Sequence, residues 1–243
     1  MPNLIPDASP GSTAPPSESE KDELLHRRLT DRDVAILTAL DQYRYLDQAQ
    51  IQALYFPSPR ACQLRTAWLR EQGLVHGWLR VRPQTWRRHP SVLATSVRGA
   101  WLLANVRGQD PREAIRRSRH AVAHRFPLLH DLEANGFMIA IAIASRTREG
   151  EGLYHWVGEW GCRETYRARR AAFAPDGWGQ YLSPSGEVVF LLEWDRGTES
   201  PQRIGVKASQ YIPYFGGRRD AHLSNVLFVV GNTSREEAVR EAV

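Results

Sequence analysis

The segment EVVFLLEWDRGTES, residues 187–200, constrains the fold more than any other stretch of this chain. Five consecutive residues, Val188 to Leu192, are β-branched, aromatic or aliphatic, and glycines bound the run at positions 186 and 197. An apolar run of this length predicts a strand in the core of a sheet. Side chains alternate along a strand, so Glu193 and Asp195 emerge on one face at its end. Two carboxylates placed together repel each other, which indicates a cation or a basic side chain between them.

Composition indicates a soluble globular protein with room for two modest domains or one large one. The 243 residues carry a formal net charge of +5. A basic balance favours a polyanionic partner, because nucleic-acid affinity depends on contacts from Arg and Lys to phosphates. A basic protein without such a partner is the alternative that charge alone leaves open. Cys62 and Cys162 are too few and too far apart for a disulfide framework or a zinc site, which favours a reducing, cytoplasmic setting.

The first 28 residues are predicted to be a disordered tail. Met1 to Glu20 is rich in Pro, Ser and Gly, and it lacks both the basic start and the apolar stretch of a signal peptide. It is also unsuited to span a membrane, so we expect no membrane partner.

Three short helices with tight connections are predicted after the tail. Their starts are marked by Thr30 with Asp33 as a capping box, by Asp47, and by Ser58 followed by Pro59. The second helix spans Gln48 to Phe56, and the third ends at Gly73. Leu74 to Arg82 then alternates as a strand, Pro83 to Pro90 is a basic turn, and Ser91 to Ala94 can return as a second strand. A further helix follows, capped by Thr95 or Ser96.

Residues 29–108 resemble a winged helix-turn-helix DNA-binding domain. The resemblance implies that double-stranded DNA is the partner and that the third helix lies in its major groove. The residues that would contact base edges and phosphates are Arg60, Gln63, Thr66 and Arg70 of the third helix and Arg80, Arg82, Arg87 and Arg88 of the wing. Pairing with a protein, or plain solvation of the exposed arginines, is the alternative. The oligomeric state stays open, and a dimer is compatible with the sequence.

The second half of the chain predicts an α/β domain with a central mixed sheet, residues 126–243, joined by a basic linker helix at residues 109–125. Phe126 to Ser145 predicts a long, largely buried helix. Its polar residues His130, Asp131, Glu133 and Asn135 are expected to be exposed or to cap the helix. The predicted strands are Leu153 to Trp160, Trp178 to Leu182, Glu187 to Trp194 and Val226 to Val230, with a helix from Pro201 to Phe215 between the last two.

Three segments of this domain stand in the order of a nuclease motif. Asp176 follows Pro175 in APDGWGQYL, the strand of the opening segment closes in Glu-x-Asp, and Lys207 stands in RIGVKASQY. Lys207 is distinctive because the only other lysine is Lys21, and every other basic residue is Arg. This order resembles the PD-(D/E)xK nuclease superfamily, which implies a restriction-endonuclease-like fold for the domain.

The resemblance also implies roles for individual residues. Asp176, Glu193 and Lys207 would be the catalytic residues, with both acids holding Mg²⁺ or Mn²⁺ and the lysine orienting the attacking water. Asp195 stands where the superfamily has its lysine, so Asp195 becomes an additional metal ligand and Lys207 has to reach back from the next helix. Glu133 is a further candidate ligand.

Together, the winged helix and the segments HRFPLLHDLEANGF, PDGWGQY and FLLEWDRGTES resemble the replication-relaxation family of plasmid and mobile-element proteins, from Leu29 to Val230. The resemblance implies a DNA-binding protein of plasmid replication or relaxation that is a Mg²⁺- or Mn²⁺-dependent endonuclease or nickase. The alternative is a non-enzymatic DNA-binding regulator that keeps the nuclease fold as a scaffold. In that case Asp176 is a turn residue, and Glu193 and Asp195 pair with Arg196 or Arg203.

Overall fold

A computed structural model describes residues 25, 27–78, 92–123, 128–169, 171, 173–215 and 224–243. Most of the predicted tail lies outside these residues. The four wing residues Arg80, Arg82, Arg87 and Arg88 all lie outside them. Leu25, which the sequence places in the tail, is buried in the N-terminal core. The folded part of the chain therefore begins before the predicted boundary at Leu29.

The first three helices begin at the residues that the capping signals predict. Helix α1 spans Asp31–Tyr43 after the N-cap Thr30, α2 spans Gln48–Tyr55 after Asp47, and α3 spans Pro59–Glu71 after Ser58. Thr30 and Asp33 form the expected capping box. Each cap side chain accepts a backbone N–H of the first turn, so these boundaries follow from local sequence. The three predicted helix starts are confirmed.

A small antiparallel sheet completes the N-terminal half. Its strands are β1 (Leu46–Asp47), β2 (Val75–Trp78) and β3 (Val92–Thr95), in the order β1-β3-β2. Helix α4 (Val97–Val106) follows with Ser96 as its N-cap, and α5 (Pro111–Ala123) occupies the predicted linker. The core between these elements is formed by aliphatic side chains, among them Ile36, Leu37, Leu40, Ile51, Leu69, Leu74 and Leu103.

The second half is built on a four-stranded mixed sheet. Helix α6 (Leu128–Ala144) and a 3₁₀ turn (Ser145–Thr147) precede β4 (Gly152–Gly158), β5 (Gly177–Ser183), β6 (Gly186–Trp194) and β7 (Ser224–Val229). The order is β4-β5-β6-β7, antiparallel except for the parallel pair β6–β7. This is the mixed sheet that the sequence predicts. Across the described ranges, no helix has the length and apolar character needed to cross a membrane.

Two helical regions differ from the prediction. The strand expected to reach Trp160 ends at Gly158, and helix α7 (Glu159–Ala168) begins there. Cys162 and Tyr166 are buried on α7 four residues apart, which is the helical spacing that the sequence analysis overlooked. The single helix expected from Pro201 to Phe215 is divided at Gln210 into α8 (Pro201–Ser209) and α9 (Tyr211–Phe215). The chain ends in α10 (Thr233–Ala242).

Helix α6 packs against both halves of the molecule. Ile139 belongs to the N-terminal core, whereas Ala134 and Met138 pack with the residues of the mixed sheet. The Asn135 amide donates to the backbone oxygens of Tyr43 (3.0 Å) and Tyr45 (2.9 Å). Asn135, expected to be exposed or to cap the helix, is therefore buried, because it satisfies two carbonyl groups in the loop between α1 and β1.

Candidate functional site

Three elements bring Asp176, Glu193 and Lys207 to one pocket of about 240 Å³ at the carboxyl end of β6. Asp176 directly precedes β5, Glu193 lies on β6, and Lys207 lies on α8. The Asp176 backbone N–H donates to Leu192 O (2.9 Å), and the Trp194 N–H donates to Asp176 Oδ2 (2.8 Å). These two bonds extend the pairing of β5 with β6, so the Asp176 carboxylate is fixed beside Glu193.

The Glu193 carboxylate is buried, with 3% of the residue exposed. It forms an ion pair with the Lys207 ammonium, and the Tyr211 hydroxyl donates to its Oε1. Burial and repulsion from Asp176 raise the pKa of Glu193 to about 7, although Lys207 and Tyr211 act in the opposite direction. Glu193 is therefore a carboxyl group that takes up a proton near neutral pH even beside Lys207, unless a further cation binds there.

Asp176 has the opposite electrostatic character. Burial alone would raise the pKa of Asp176, but the hydrogen bond from His130 and the attraction of Lys207 outweigh it and lower the pKa. The His130 Nε2 lies 3.3 Å from Asp176 Oδ2. Burial opposes the charge on Lys207, but attraction to Asp176 and Glu193 prevails and raises its pKa. Two neighbouring acids thus differ in their affinity for a proton, as in sites that separate acid and base roles.

Three further residues extend this site, and the sequence analysis did not predict their roles. Atoms of His130, Asp131 and Glu159 that could coordinate a metal ion lie within 4.8 Å of one another. His130 and Glu159 line the same pocket as Asp176 and Glu193. The Glu159 Oε2 is buried, and no N–H or hydroxyl group of the described residues donates to it. The Asp131 carboxyl forms a side-chain hydrogen bond with Glu159. A buried carboxylate close to other acids is suited to a cation.

Asp131 supports Glu159 from the side of α6. It is buried, and an Arg44 guanidinium nitrogen lies 3.4 Å from its carboxylate. Burial and the neighbouring Glu159 raise the pKa of Asp131 to about 8. Asp131, expected to be exposed or to cap α6, thus lies inside the acidic cluster.

A family model described as replication-relaxation matches residues 37–230, which is most of the chain. The chain belongs to the replication-relaxation family. No curated protein and no solved structure matches it significantly. Membership supports a role in the replication or relaxation of plasmids or mobile elements.

Asp195 and Glu133, the other two acids predicted to bind the metal ion, have partners outside the acidic cluster. Asp195 lines the pocket, but its carboxylate accepts from Arg235 Nε (2.5 Å) and from the Gly197 N–H (2.8 Å). The Glu133 carboxylate accepts from Arg196 Nε at 2.8 Å. The repulsion expected between Glu193 and Asp195 is therefore relieved by different cations, Lys207 for the first acid and Arg235 for the second.

The predicted DNA-contacting face of α3 is exposed only in part. Arg60, Gln63 and Arg70 are exposed. Thr66 is buried instead, because its hydroxyl donates to Cys62 O (2.8 Å) and accepts from the Gln48 amide (3.0 Å). Thr66 stabilises the contact of α3 with α2, and the structure does not bring it to the surface with the arginines.

We expect Gly177→Ala to destabilise the fold, because an added Cβ would lie 1.7 Å from the buried Trp156 ring. Overpacking of this kind costs about 1–3 kcal/mol, and here it would also displace the adjacent Asp176. Urea denaturation measures the loss. Gly152→Ala is the matched control, since nothing lies within 4 Å of a Cβ at that strand position. Equal stability of the two variants would contradict the close approach of β5 to Trp156.

Proposed function

We propose that this protein binds DNA and cleaves one strand of it with a divalent metal ion, in the replication or relaxation of a plasmid or mobile element. The observation that carries the proposal is the convergence of Asp176, Glu193 and Lys207 on one pocket from three separate elements. Two buried acids and a lysine are the groups that metal-dependent hydrolysis of a phosphodiester requires. Metal-dependent conversion of supercoiled plasmid to the open-circular form is the test.

The donor set fits a divalent metal. Asp176 and Glu193 would hold it, with His130 and Glu159 as additional ligands on the same pocket wall. Carboxylates suit both Mg²⁺ and Mn²⁺, whereas an imidazole favours Mn²⁺. When bound, the ion would polarise the phosphate and lower the pKa of the attacking water. The buried Glu159 oxygen, close to His130 and Asp131, supports the assignment of Glu159 as such a ligand.

The remaining groups position these ligands. The Trp194 N–H holds Asp176, and the Tyr211 hydroxyl holds the Glu193 carboxylate from the side away from solvent. Lys207 is only partly buried, so its ammonium can shift from Glu193 towards a phosphate oxygen or the attacking water. Asp176 keeps its charge because its pKa is lowered, and it is therefore suited to bind a cation rather than to accept a proton.

We propose that α1 to α3 and the β2–β3 strands are a winged helix-turn-helix that docks on duplex DNA. The order of elements supports this interpretation: three helices, a short strand between the first two, and two antiparallel strands after the third. The exposed Arg60, Gln63 and Arg70 of α3 would then face the major groove.

Arg60→Ala and Arg70→Ala are expected to weaken duplex binding, by about five- to tenfold each at moderate salt, because each removes a contact to a phosphate or a base. The slope of log K against log salt should decrease by about one for each variant that loses a phosphate contact. Fluorescence anisotropy with a labelled duplex gives both values. Arg203→Ala, at an exposed position on α8, is the control and should bind as wild type. Binding that is independent of salt would contradict docking through arginines.

A second function, a DNA-binding regulator without nuclease activity, has one specific observation in its favour. Lys207 pairs directly with Glu193, and Asp195 is held by Arg235, so every charged group of the Glu-x-Asp motif already has a protein partner. In a regulator without nuclease activity, the Lys207–Glu193 and Arg235–Asp195 ion pairs would only stabilise the fold. The two functions separate in the plasmid assay, since a regulator binds DNA without relaxing it.

A further inference from the structure

A groove of about 1340 Å³ leads away from the candidate catalytic pocket. It lies between α5, α7 and α8, and the two spaces share Glu159, Arg163, Asp176 and Lys207 in their walls. Its volume exceeds the range of about 300–1,000 Å³ that is typical of small-molecule sites. The groove therefore suits an extended polymer that passes the catalytic pocket.

The groove wall carries arginines whose side chains reach solvent. Arg163 and Arg167 are four residues apart on α7, so they lie on one face of that helix. Arg163 has 63% of its side chain exposed and pairs with Glu159. Arg167 is exposed, and no ion pair holds it within the described ranges. Arg116 lines the opposite side on α5, where it pairs with Glu113 and Glu164. Arg116 and Arg163 thus share their charge between these acids and a phosphate, whereas Arg167 is fully available to a phosphate.

Aromatic rings lie beside these arginines. The half-buried Trp160 ring contacts His120 with a centroid distance of 3.7 Å, whereas Phe173, which also lines the groove, is buried against Tyr166 and Tyr211. The Trp160 indole N–H is buried without a hydrogen-bond acceptor among the described residues. Basic side chains beside a partly exposed aromatic ring such as Trp160 are a combination by which proteins hold single nucleic-acid strands, through phosphate contacts and base stacking.

We infer that this groove, with residues Arg116, Trp160, Arg163 and Arg167, holds a single DNA strand and leads its phosphodiester to the catalytic pocket. The inference deepens and rests on the proposed function. Burial of the catalytic acids decides in favour of a single strand: Asp176 is 8% and Glu193 3% exposed. A phosphate in an intact duplex is held on a convex surface, whereas a separated strand can bend into the recess where these acids lie.

The test is the affinity of a fluorescein-labelled single-stranded oligonucleotide, about 15 nucleotides long, measured by anisotropy in EDTA. Without a metal ion no cleavage takes place, so the result does not depend on whether the protein is a nuclease. We expect Arg163→Ala with Arg167→Ala to weaken binding about tenfold and to reduce the salt slope by about 1.4, since each lost phosphate contact on a single strand removes about 0.7. Duplex binding should be unchanged.

Arg240→Ala is the matched control, because 73% of its side chain is exposed and it lies on α10, outside the groove. It should leave the oligonucleotide affinity within twofold of wild type, which supports the inference. Arg167→Ala alone should give about a threefold loss, and its surface position avoids a folding defect. An unchanged affinity in the double variant overturns the inference, and so does an equal loss for Arg240→Ala. An equal loss for duplex DNA assigns the groove to a duplex and also overturns it.

Discussion

Asp176→Asn and Glu193→Gln are each expected to lower the rate of plasmid relaxation by at least about 1,000-fold, because each would remove a ligand of the proposed metal ion, which would supply several kcal/mol of transition-state stabilisation. Lys207→Met is expected to lower it less, by about 100-fold, since the lysine contributes charge and orientation but is not a metal ligand. The measurement is the fraction of supercoiled plasmid converted to open circles over time, with Mn²⁺, with Mg²⁺ and with EDTA.

Asp195→Asn is the matched control for this series. Asp195 lies two residues from Glu193 on the same segment, but its carboxylate is bound to Arg235. Relaxation should therefore continue in Asp195→Asn at temperatures where the variant stays folded. A wild-type protein that binds the plasmid but never relaxes it in either metal would contradict the nuclease and favour the regulator. Equal losses in Asp195→Asn and Glu193→Gln would contradict the assignment of the metal to Glu193.

Mn²⁺ is expected to raise the melting temperature of the wild-type protein by about 5–10 °C at a concentration 100 times its dissociation constant. Binding to the folded state contributes about 2.7 kcal/mol at that ratio, and each kcal/mol shifts the midpoint of a protein this size by about 2–4 °C. Glu193→Gln should remove most of this shift. Differential scanning fluorimetry with increasing metal concentration measures it. A metal-independent midpoint in the wild-type protein would contradict the metal site.

The same variant should change the pH dependence of stability in metal-free buffer. The pKa of Glu193 rises from 4.5 in the unfolded chain to about 7 in the folded protein, so the folded state holds its proton more tightly. Its contribution to stability is complete below pH 4.5 and is lost as the pH rises through about 7. The free energy of unfolding of Glu193→Gln should therefore equal or exceed that of the wild type at about pH 8. At about pH 5 the variant should lose this advantage.

Asp176 does not obscure that comparison. Its pKa is lowered from 3.8, so its contribution is present at neutral pH and is lost only in more acidic solution. Asp131, with a pKa of about 8, titrates in both proteins and cancels in the difference. A Glu193→Gln variant that is destabilised equally at both pH values would mean that the ion pair with Lys207 outweighs the repulsion from Asp176.

The elements that the sequence predicted well are those whose signals are local. Thr30, Asp47 and Ser58 each cap a helix through a backbone N–H three residues away, and the apolar run of β6 is readable without knowledge of its neighbours. The order of Asp176, Glu193 and Lys207 was readable for another reason, namely resemblance to a known motif. Their meeting at one pocket required the pairing of β5 with β6 and the return of α8, which only the structure shows.

The residues that sequence reasoning missed depend on contacts between distant segments. Glu159 begins α7 directly after a strand, and its carboxylate meets His130 and Asp131 because α6 and α7 both pack against β4. Asp195 was expected to be a metal ligand, but its carboxylate is bound by Arg235 of α10, which lies 40 residues further along the chain. The burial of Thr66 likewise depends on Gln48 of the preceding helix. In each case the deciding partner is absent from the local pattern.

The double role of α6 has a consequence for where the DNA would be cut. Asn135 of α6 binds the backbone of Tyr43 and Tyr45 in the N-terminal half. His130, five residues earlier on the same helix and about one and a half turns away, contacts Asp176. A DNA-reading helix and a cleavage pocket that are both held by α6 would keep a constant separation. The protein would then act as a ruler, placing its nick a fixed number of base pairs from the sequence that it reads.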